Sequence, residues 1–146
     1  MFSKTTEYAL RATIYIAKHG SEDNKLGIDE IAKAIDSPKP FTAKILQLLT
    51  KDKVLHSTRG PNGGFYITAK SKRLPVSSVL KALNDESILK KCVIGLRHCT
   101  QKNPCPMHAE FKEIKQQLNN LFEKKTIESL VDKGDNFKLF INNSRR

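Results

Sequence analysis

The chain has 146 residues, 38% of them hydrophobic and 28% charged, with 26 Lys and Arg against 15 Asp and Glu for a formal net charge of +11. That length suits one domain with a real core. The absence of an uninterrupted apolar run of 18 residues argues against a membrane span, and Glu7 and Arg11 stand where a signal peptide would be apolar. The protein is therefore expected in the cytoplasm. Three cysteines packed into fourteen residues fit a reduced compartment with a metal or redox site better than a disulfide framework.

In chain order, Thr5 to His19 reads as one well-buried helix. Tyr8, Ala9, Ala12 and Ile16 lie on one face, Leu10, Ile14 and Ala17 on another, with Glu7 in the first turn and Gly20 after the last. A polar connector follows. Ile28, Ile31, Ala32 and Ile35 then recur at helical spacing, and Asp36-Ser37-Pro38-Lys39-Pro40 interrupts them. With Ser37 as N-cap and the prolines confined to a turn or first helical turn, a second helix is expected to start near Phe41. Phe41, Ile45, Leu48 and Leu49 give it a buried face, leaving Thr42, Lys44, Gln47 and Lys51 largely off it. Val54–Thr58 and Phe65–Thr68 are short strand candidates around Arg59-Gly60-Pro61-Asn62-Gly63-Gly64, a turn that lets backbone approach a phosphate closely.

Two helices and a glycine-rich hairpin outline a winged helix-turn-helix, whose second helix enters the major groove of DNA. Such a scaffold can occur without nucleic acid, so charge matters. From Ser37 to Arg73 there are eight basic residues and one acid, Asp52, an excess suited to polyphosphate contact. The expected contacts are Ser37, Lys39, Thr42 and Lys44 at the start of the second helix, with Arg59, Gly60, Asn62 and Gly63 in the turn.

Beyond the hairpin, Ala69–Pro75 reads as a basic link, and Val76, Val79, Leu80 and Leu83 as a short core-packing helix ending near Asn84-Asp85. Lys91–His108 has little periodicity and holds all three cysteines. A long helix follows, with Met107, Phe111, Ile114, Leu118 and Leu121 spaced 4, 3, 4, 3, a heptad-like seam suited to packing against a symmetry mate. Thr126 caps a last short helix, IESLVDKG, and the end of the chain is polar. The fold class expected is mainly α with a small β-hairpin, a winged helix-turn-helix plus a long dimerisation helix. Its units are a DNA-binding part over residues 1–84 with the wing at about 54–68, a cysteine loop over 85–108, the dimerisation and following helices over 109–134, and a polar tail over 135–146.

Six residues separate Cys92 from Cys99 and five separate Cys99 from Cys105, with His108 three positions further on. Soft thiolates favour iron–sulfur clusters or zinc, and a loop of this length can wrap a cluster. Structural zinc sites pair cysteines at two- to four-residue intervals, which this loop lacks. A cluster is the first reading and zinc the second, ahead of a reactive thiol at Cys92 or Cys105. Three cysteines leave a fourth ligand to be found, and His108 is the local candidate. His98 is expected to be exposed. An enzyme is disfavoured: there is no CxxC redox pair, no GxGxxG or Walker loop, and no nucleophile-base-orienter set.

Thr6-Glu7-Tyr8-Ala9-Leu10-Arg11, the Phe41–Leu49 helix, Arg59–Phe65 and three cysteines ahead of a long helix together resemble the IscR/NsrR-type family of bacterial winged-helix regulators. The resemblance covers nearly the whole chain. It implies a homodimeric transcription regulator, a repressor, that binds a palindromic double-stranded DNA operator. It also implies an iron–sulfur cluster, two-iron or four-iron, in the loop before the long helix, which would tie operator affinity to a redox or nitric oxide signal. Relatives place a ligand histidine three residues after the last cysteine, here His108, or donate an acidic residue of the first helix across the dimer, here Glu7.

Overall fold

The computed structural model describes residues 2–131. Helix α1 runs Lys4–His19, capped at its start by Ser3, whose hydroxyl accepts from the Thr6 N–H. One face, Ala9, Ala12, Ile16 and Ala17, is buried, and this helix is the axis on which the rest is laid. Helix α2 (Ile28–Ala34) and helix α3 (Lys39–Lys51) pack on it and on each other, burying Ile31, Ile35, Ile45, Leu46 and Leu49. Helix α3 starts two residues earlier than the sequence suggests. Pro38 holds the N-cap position and Pro40 sits in the first turn, where its missing N–H costs nothing; Ser37 is not the cap.

Strands β1 (His56–Thr58) and β2 (Gly64–Tyr66) form an antiparallel hairpin with His56 opposite Tyr66 and Thr58 opposite Gly64. Its root is pinned to the α1–α2 connector, because Leu26 and Phe65 exchange backbone hydrogen bonds of 2.8 Å in both directions. Gly64 makes that approach possible: its φ is +149° and a Cβ there would lie 2.7 Å from the Leu26 carbonyl oxygen.

The segment after the hairpin is more ordered than a basic link. It holds helix α4 (Ala69–Lys72), capped by the Thr68 hydroxyl and tied back by Ser71, whose Oγ donates to the Lys53 carbonyl at 3.0 Å. Helix α5 (Ser77–Ala82) then buries Val79 and Leu80, with Val76 just before it. A further single-turn helix, α6 (Ser87–Lys90), buries Leu89 and leads into an irregular loop.

Helix α7 spans His108–Lys124. Among the described residues none of its side chains is buried, and Ile114 and Leu121 are 52% and 50% exposed. Thr126 caps helix α8 (Ile127–Val131) as expected, and Ile127 inserts fully into the core beside α1. Residues 132–134 of the expected last helix, and the polar tail, lie outside the described residues. No described helix is long and apolar enough to cross a membrane.

Candidate metal centre and nucleic-acid interface

At the start of α3, Lys44 is exposed, and Lys39 is exposed while pairing through Nζ with Asp29 Oδ1 at 2.9 Å. Such a solvated pair is worth little and yields readily to a phosphate. Thr42 departs from its expected place off the buried face. It is fully buried, with its hydroxyl 2.9 Å from both the Ser37 Oγ and the Pro38 carbonyl. A hydroxyl so engaged has no surface with which to reach a base edge, so Thr42 locks the α2–α3 turn instead. Ser37, half-buried, is its partner in that lock.

In the turn of the hairpin, Arg59, Gly60 and Asn62 are exposed and Gly63 is half-buried. The Gly63 N–H donates to the Gly60 carbonyl at 3.0 Å, and Gly60 takes φ +103°. A Cβ on Gly63 would collide with the Thr58 carbonyl, so the tightness of the turn rests on these glycines. Two braces escape sequence reasoning. The Arg11 guanidinium lies 4.6 Å from the centre of the Tyr8 ring, which packs edge-on against Phe41, while Lys25 Nζ sits 5.7 Å from the Tyr66 ring centre. The helical i, i+3 spacing of Tyr8 and Arg11 is the one signal that could have shown the first.

The cysteine loop folds back on itself. Gly95, at φ +80°, closes a turn by donating its N–H to the Cys92 carbonyl at 3.0 Å, and Thr100 and Asn103 close a second by reciprocal backbone bonds of 3.1 Å. These turns bring Cys92, Cys99 and Cys105 together, all three sulfurs within 4.8 Å of one another. The Cys92 and Cys105 sulfurs are 3.7 Å apart, and Cys99 Sγ is 3.2 Å from His108 Nδ1. The Cys105 N–H donates to Cys99 Sγ at 3.4 Å. His108, the first residue of α7, is thus set beside the thiols by the turn in which its N–H bonds the Cys105 carbonyl. All three cysteines are half-buried and none forms a disulfide.

Ionisation is split across the close pair. Burial opposes it at Cys92, but the Leu96 and Ile94 amides turned towards that sulfur, together with the Cys105 and Cys99 thiols, prevail and bring its pKa down to about 7. At Cys105 burial again opposes ionisation, the Met107 amide only partly offsets it, and the neighbouring Cys92 charge pushes the pKa up. Each charge opposes the other, so the first thiolate forms more easily than the second. The walls are mixed: Val93, Met107 and Phe111 are apolar, and Lys90, Lys112 and Lys115 are basic. Three thiols, amide donors and an imidazole form a soft donor set, so the chemistry fits a thiolate-bound metal or iron–sulfur centre.

Glu7 does not join this cluster within one chain; it is exposed on α1, 3.7 Å from Lys4 Nζ. His98 is exposed, as expected. Asp85, which no sequence pattern singles out, ties the cysteine end of the molecule to α1. Its Oδ2 accepts from the Ser3 N–H at 3.0 Å, the Ser3 hydroxyl at 3.1 Å and the Thr6 hydroxyl at 2.7 Å. The Ser3 amide does most to hold its carboxyl below the usual range, against some burial and with help from the two hydroxyls.

A packed helix pair, a basic-tipped hairpin braced from beneath and a long helix beyond define a winged-helix transcription regulator. The chain belongs to the Rrf2 family, whose model is described as an iron-dependent transcriptional regulator and matches residues 2–133. It is 31% identical over 134 residues to a protein of Aquifex aeolicus assigned as an HTH-type transcriptional regulator, covering 90% of this chain and 92% of that one. It is 23% identical over 128 residues to the HTH-type transcriptional regulator IscR of Yersinia pseudotuberculosis, covering 88% and 77%. Among solved structures, CymR, the global cysteine regulator of Bacillus subtilis, superposes with a TM-score of 0.74 at 17% identity over 92% of this chain and 98% of that one. IscR of T. potens gives 0.65 at 16% over 88% and 84%. The resemblance read from the sequence therefore holds, and the chain is a transcriptional regulator of a DNA-binding family rather than an enzyme.

Proposed function

We propose that this protein is a homodimeric, operator-binding repressor whose DNA affinity is set by a metal centre at Cys92, Cys99 and Cys105. The observation that carries the reading is the convergence of the three sulfurs and His108 at the head of α7. An iron–sulfur cluster, two-iron or four-iron, is the leading occupant, with zinc second. His108, or Glu7 from a partner subunit, completes the ligand set. When bound, a cluster supplies a redox- and nitric oxide-sensitive group. The chain's own residues carry the rest of the mechanism.

Lys39, Lys44 and the α3 N-terminus meet one groove, and Arg59, Gly60, Asn62 and Gly63 meet the backbone or minor groove beside it. The exposed apolar seam of α7 meets its copy in a second chain, which holds two half-sites at fixed spacing. The cysteine loop touches both assemblies. Through α6 it is bonded to α7, since Asn119 Nδ2 donates to the Leu89 carbonyl at 3.1 Å, and through Asp85 it is bonded to α1. Cys92, Cys99, Cys105 and His108, when ligated, would hold the loop against both, and once unligated they would free the angle between α7 and the DNA-binding unit. Couplings of this kind are worth about 1 to 3 kcal/mol, roughly 5- to 150-fold in affinity.

The test is anaerobic reconstitution with iron and sulfide, followed by operator titration of the loaded and metal-free forms. A brown protein whose operator affinity differs at least about fivefold from the metal-free form supports the reading; equal affinities defeat it, and a colourless product defeats the iron–sulfur occupant and leaves zinc. Arg59→Ala should weaken operator binding by about 1–3 kcal/mol with an unchanged circular dichroism spectrum. Unchanged affinity in that variant would remove the wing from the interface.

A further inference from the structure

Helix α3 carries six polar side chains, Lys39, Thr42, Lys44, Gln47, Thr50 and Lys51, and half of them are already engaged. Lys39 is held by Asp29, the Thr42 hydroxyl by Ser37 and the Pro38 carbonyl, and the Thr50 hydroxyl donates to the Leu46 carbonyl at 2.7 Å. Lys44, Gln47 and Lys51 are exposed, and among the described residues their side chains have no hydrogen-bond or ion-pair partner. The opposite face of the helix, Ile45, Leu46 and Leu49, is buried where α3 packs on α1 and α2. Lys44 and Gln47, three residues apart, are therefore neighbours on one stripe that looks away from the core. Pro40 and Ala43, on the same stripe, bring no polar side chain to it.

We infer that Gln47 is the side chain by which this protein reads an adenine in each half of its operator, with Lys44 on a guanine one or two base pairs away. The inference rests on the operator-binding reading above and deepens it from DNA to particular bases. A lysine ammonium is a point charge that meets a phosphate or the O6 and N7 acceptors of guanine. A primary amide instead presents a donor and an acceptor side by side, the pattern that pairs with adenine N6 and N7 in the major groove. Gln47 is the one exposed, uncharged hydrogen-bonding side chain among the described residues of α3. Three residues at a rise of about 1.5 Å set Lys44 and Gln47 about 4.5 Å apart along the axis, against a base-pair spacing of about 3.4 Å, hence neighbouring steps. Lys51 lies about 10 Å beyond Lys44 by the same rise, close to the width of a groove about 12 Å across, so it falls on the phosphates of the rim. Sequence discrimination thereby moves to the middle of α3, away from its start, where Thr42 is buried and Lys39 is paired.

The probe is a library of duplexes with a randomised central segment, selected on the anaerobically purified full-length protein and on its variants. The wild type should return a site with an adenine and a guanine one or two base pairs apart in each half. Replacing that adenine should cost the wild type about 5- to 150-fold in affinity and Gln47→Ala almost nothing. Gln47→Ala should keep every other preference of the site and an unchanged circular dichroism spectrum. Gln47→Glu, an acceptor alone, should move the preference at the same position from adenine to cytosine, whose N4 amino group donates. Lys51→Ala should weaken all duplexes alike and lower the salt slope by about 1. A wild type that selects a site while Gln47→Ala and Gln47→Glu select the same one, or a Gln47→Ala that weakens every sequence uniformly, overturns the assignment and leaves operator binding standing. A wild type that enriches no sequence defeats both.

Discussion

The two halves of the molecule hold themselves together by different means. From α1 to the hairpin, Ile16, Ile31, Ile35, Ile45, Leu46, Leu49 and Leu55 are almost fully excluded from water, and the order of that unit follows from apolar burial. From Cys92 to Lys124 the balance reverses: Val93, Ile94, Leu96, Met107, Ile114 and Leu121 are large apolar side chains left exposed. Exposed apolar side chains that gather into a patch mark a surface that meets a partner. The difference teaches that the first unit closes its own apolar core within one chain, whereas the second leaves large apolar side chains uncovered around a group of three cysteines.

The sharpest way to break that contrast is to cut the core. Leu49→Ala should cost about 2–5 kcal/mol of stability, read by urea denaturation. A cost under about 1 kcal/mol would mean the first half is not held by burial. The matching change on the other side, Ile114→Glu, should leave the monomer's thermal stability within about 0.5 kcal/mol. Light scattering should nevertheless show the dimer gone, and operator affinity should fall with it. A dimer that survives would move the interface off α7.

Between the halves lies the Asp85 clamp. Asp85→Asn should cost about 1 kcal/mol at neutral pH, after discounting for its partial exposure. Because the folded pKa is depressed, the stabilisation is fully present above the ordinary carboxylate pKa and disappears as pH falls through the lower, folded value. The wild-type advantage over Asp85→Asn should therefore shrink in acid; a constant difference would show that the charge contributes nothing. Smallest is a local reactivity. In metal-free protein, alkylation of Cys92 should rise with pH through a midpoint near 7, because a depressed pKa populates thiolate above that value, with Cys105 reacting only at higher pH. Mass mapping of the alkylated peptides reads it, and the reverse order would reject the split.

Much of the first half was legible in the chain because burial writes a period. The repeats in α1 and α2 and the turn chemistry of Arg59–Gly64 place their elements to within a residue or two. The four-residue helices α4 and α6 were not, since one turn is too short to show periodicity and each depends on a distant partner: the Lys53 carbonyl for α4, α7 for α6. Thr42 misleads for a related reason, as its hydroxyl is satisfied within its own turn and its burial no longer reads as polar. The cysteine spacing pointed to a group of soft donors, and the Gly95 and Asn103 turns bring the three sulfurs within 4.8 Å of one another. The Asp85 clamp spans 79 to 82 positions and leaves no local trace.

The mutual Leu26–Phe65 bonds have a consequence for how such regulators diverge. The hairpin takes its aim from Leu26, a residue in the α1–α2 connector. Insertions at the exposed tip around Pro61-Asn62 would lengthen the wing without turning it. A deletion between Ser21 and Lys25 would leave α3 packed on α1 yet swing the hairpin relative to it. The hairpin's aim can thus drift through the length of that connector, and a comparison of target sites across relatives should follow that length as well as the residues of the hairpin tip.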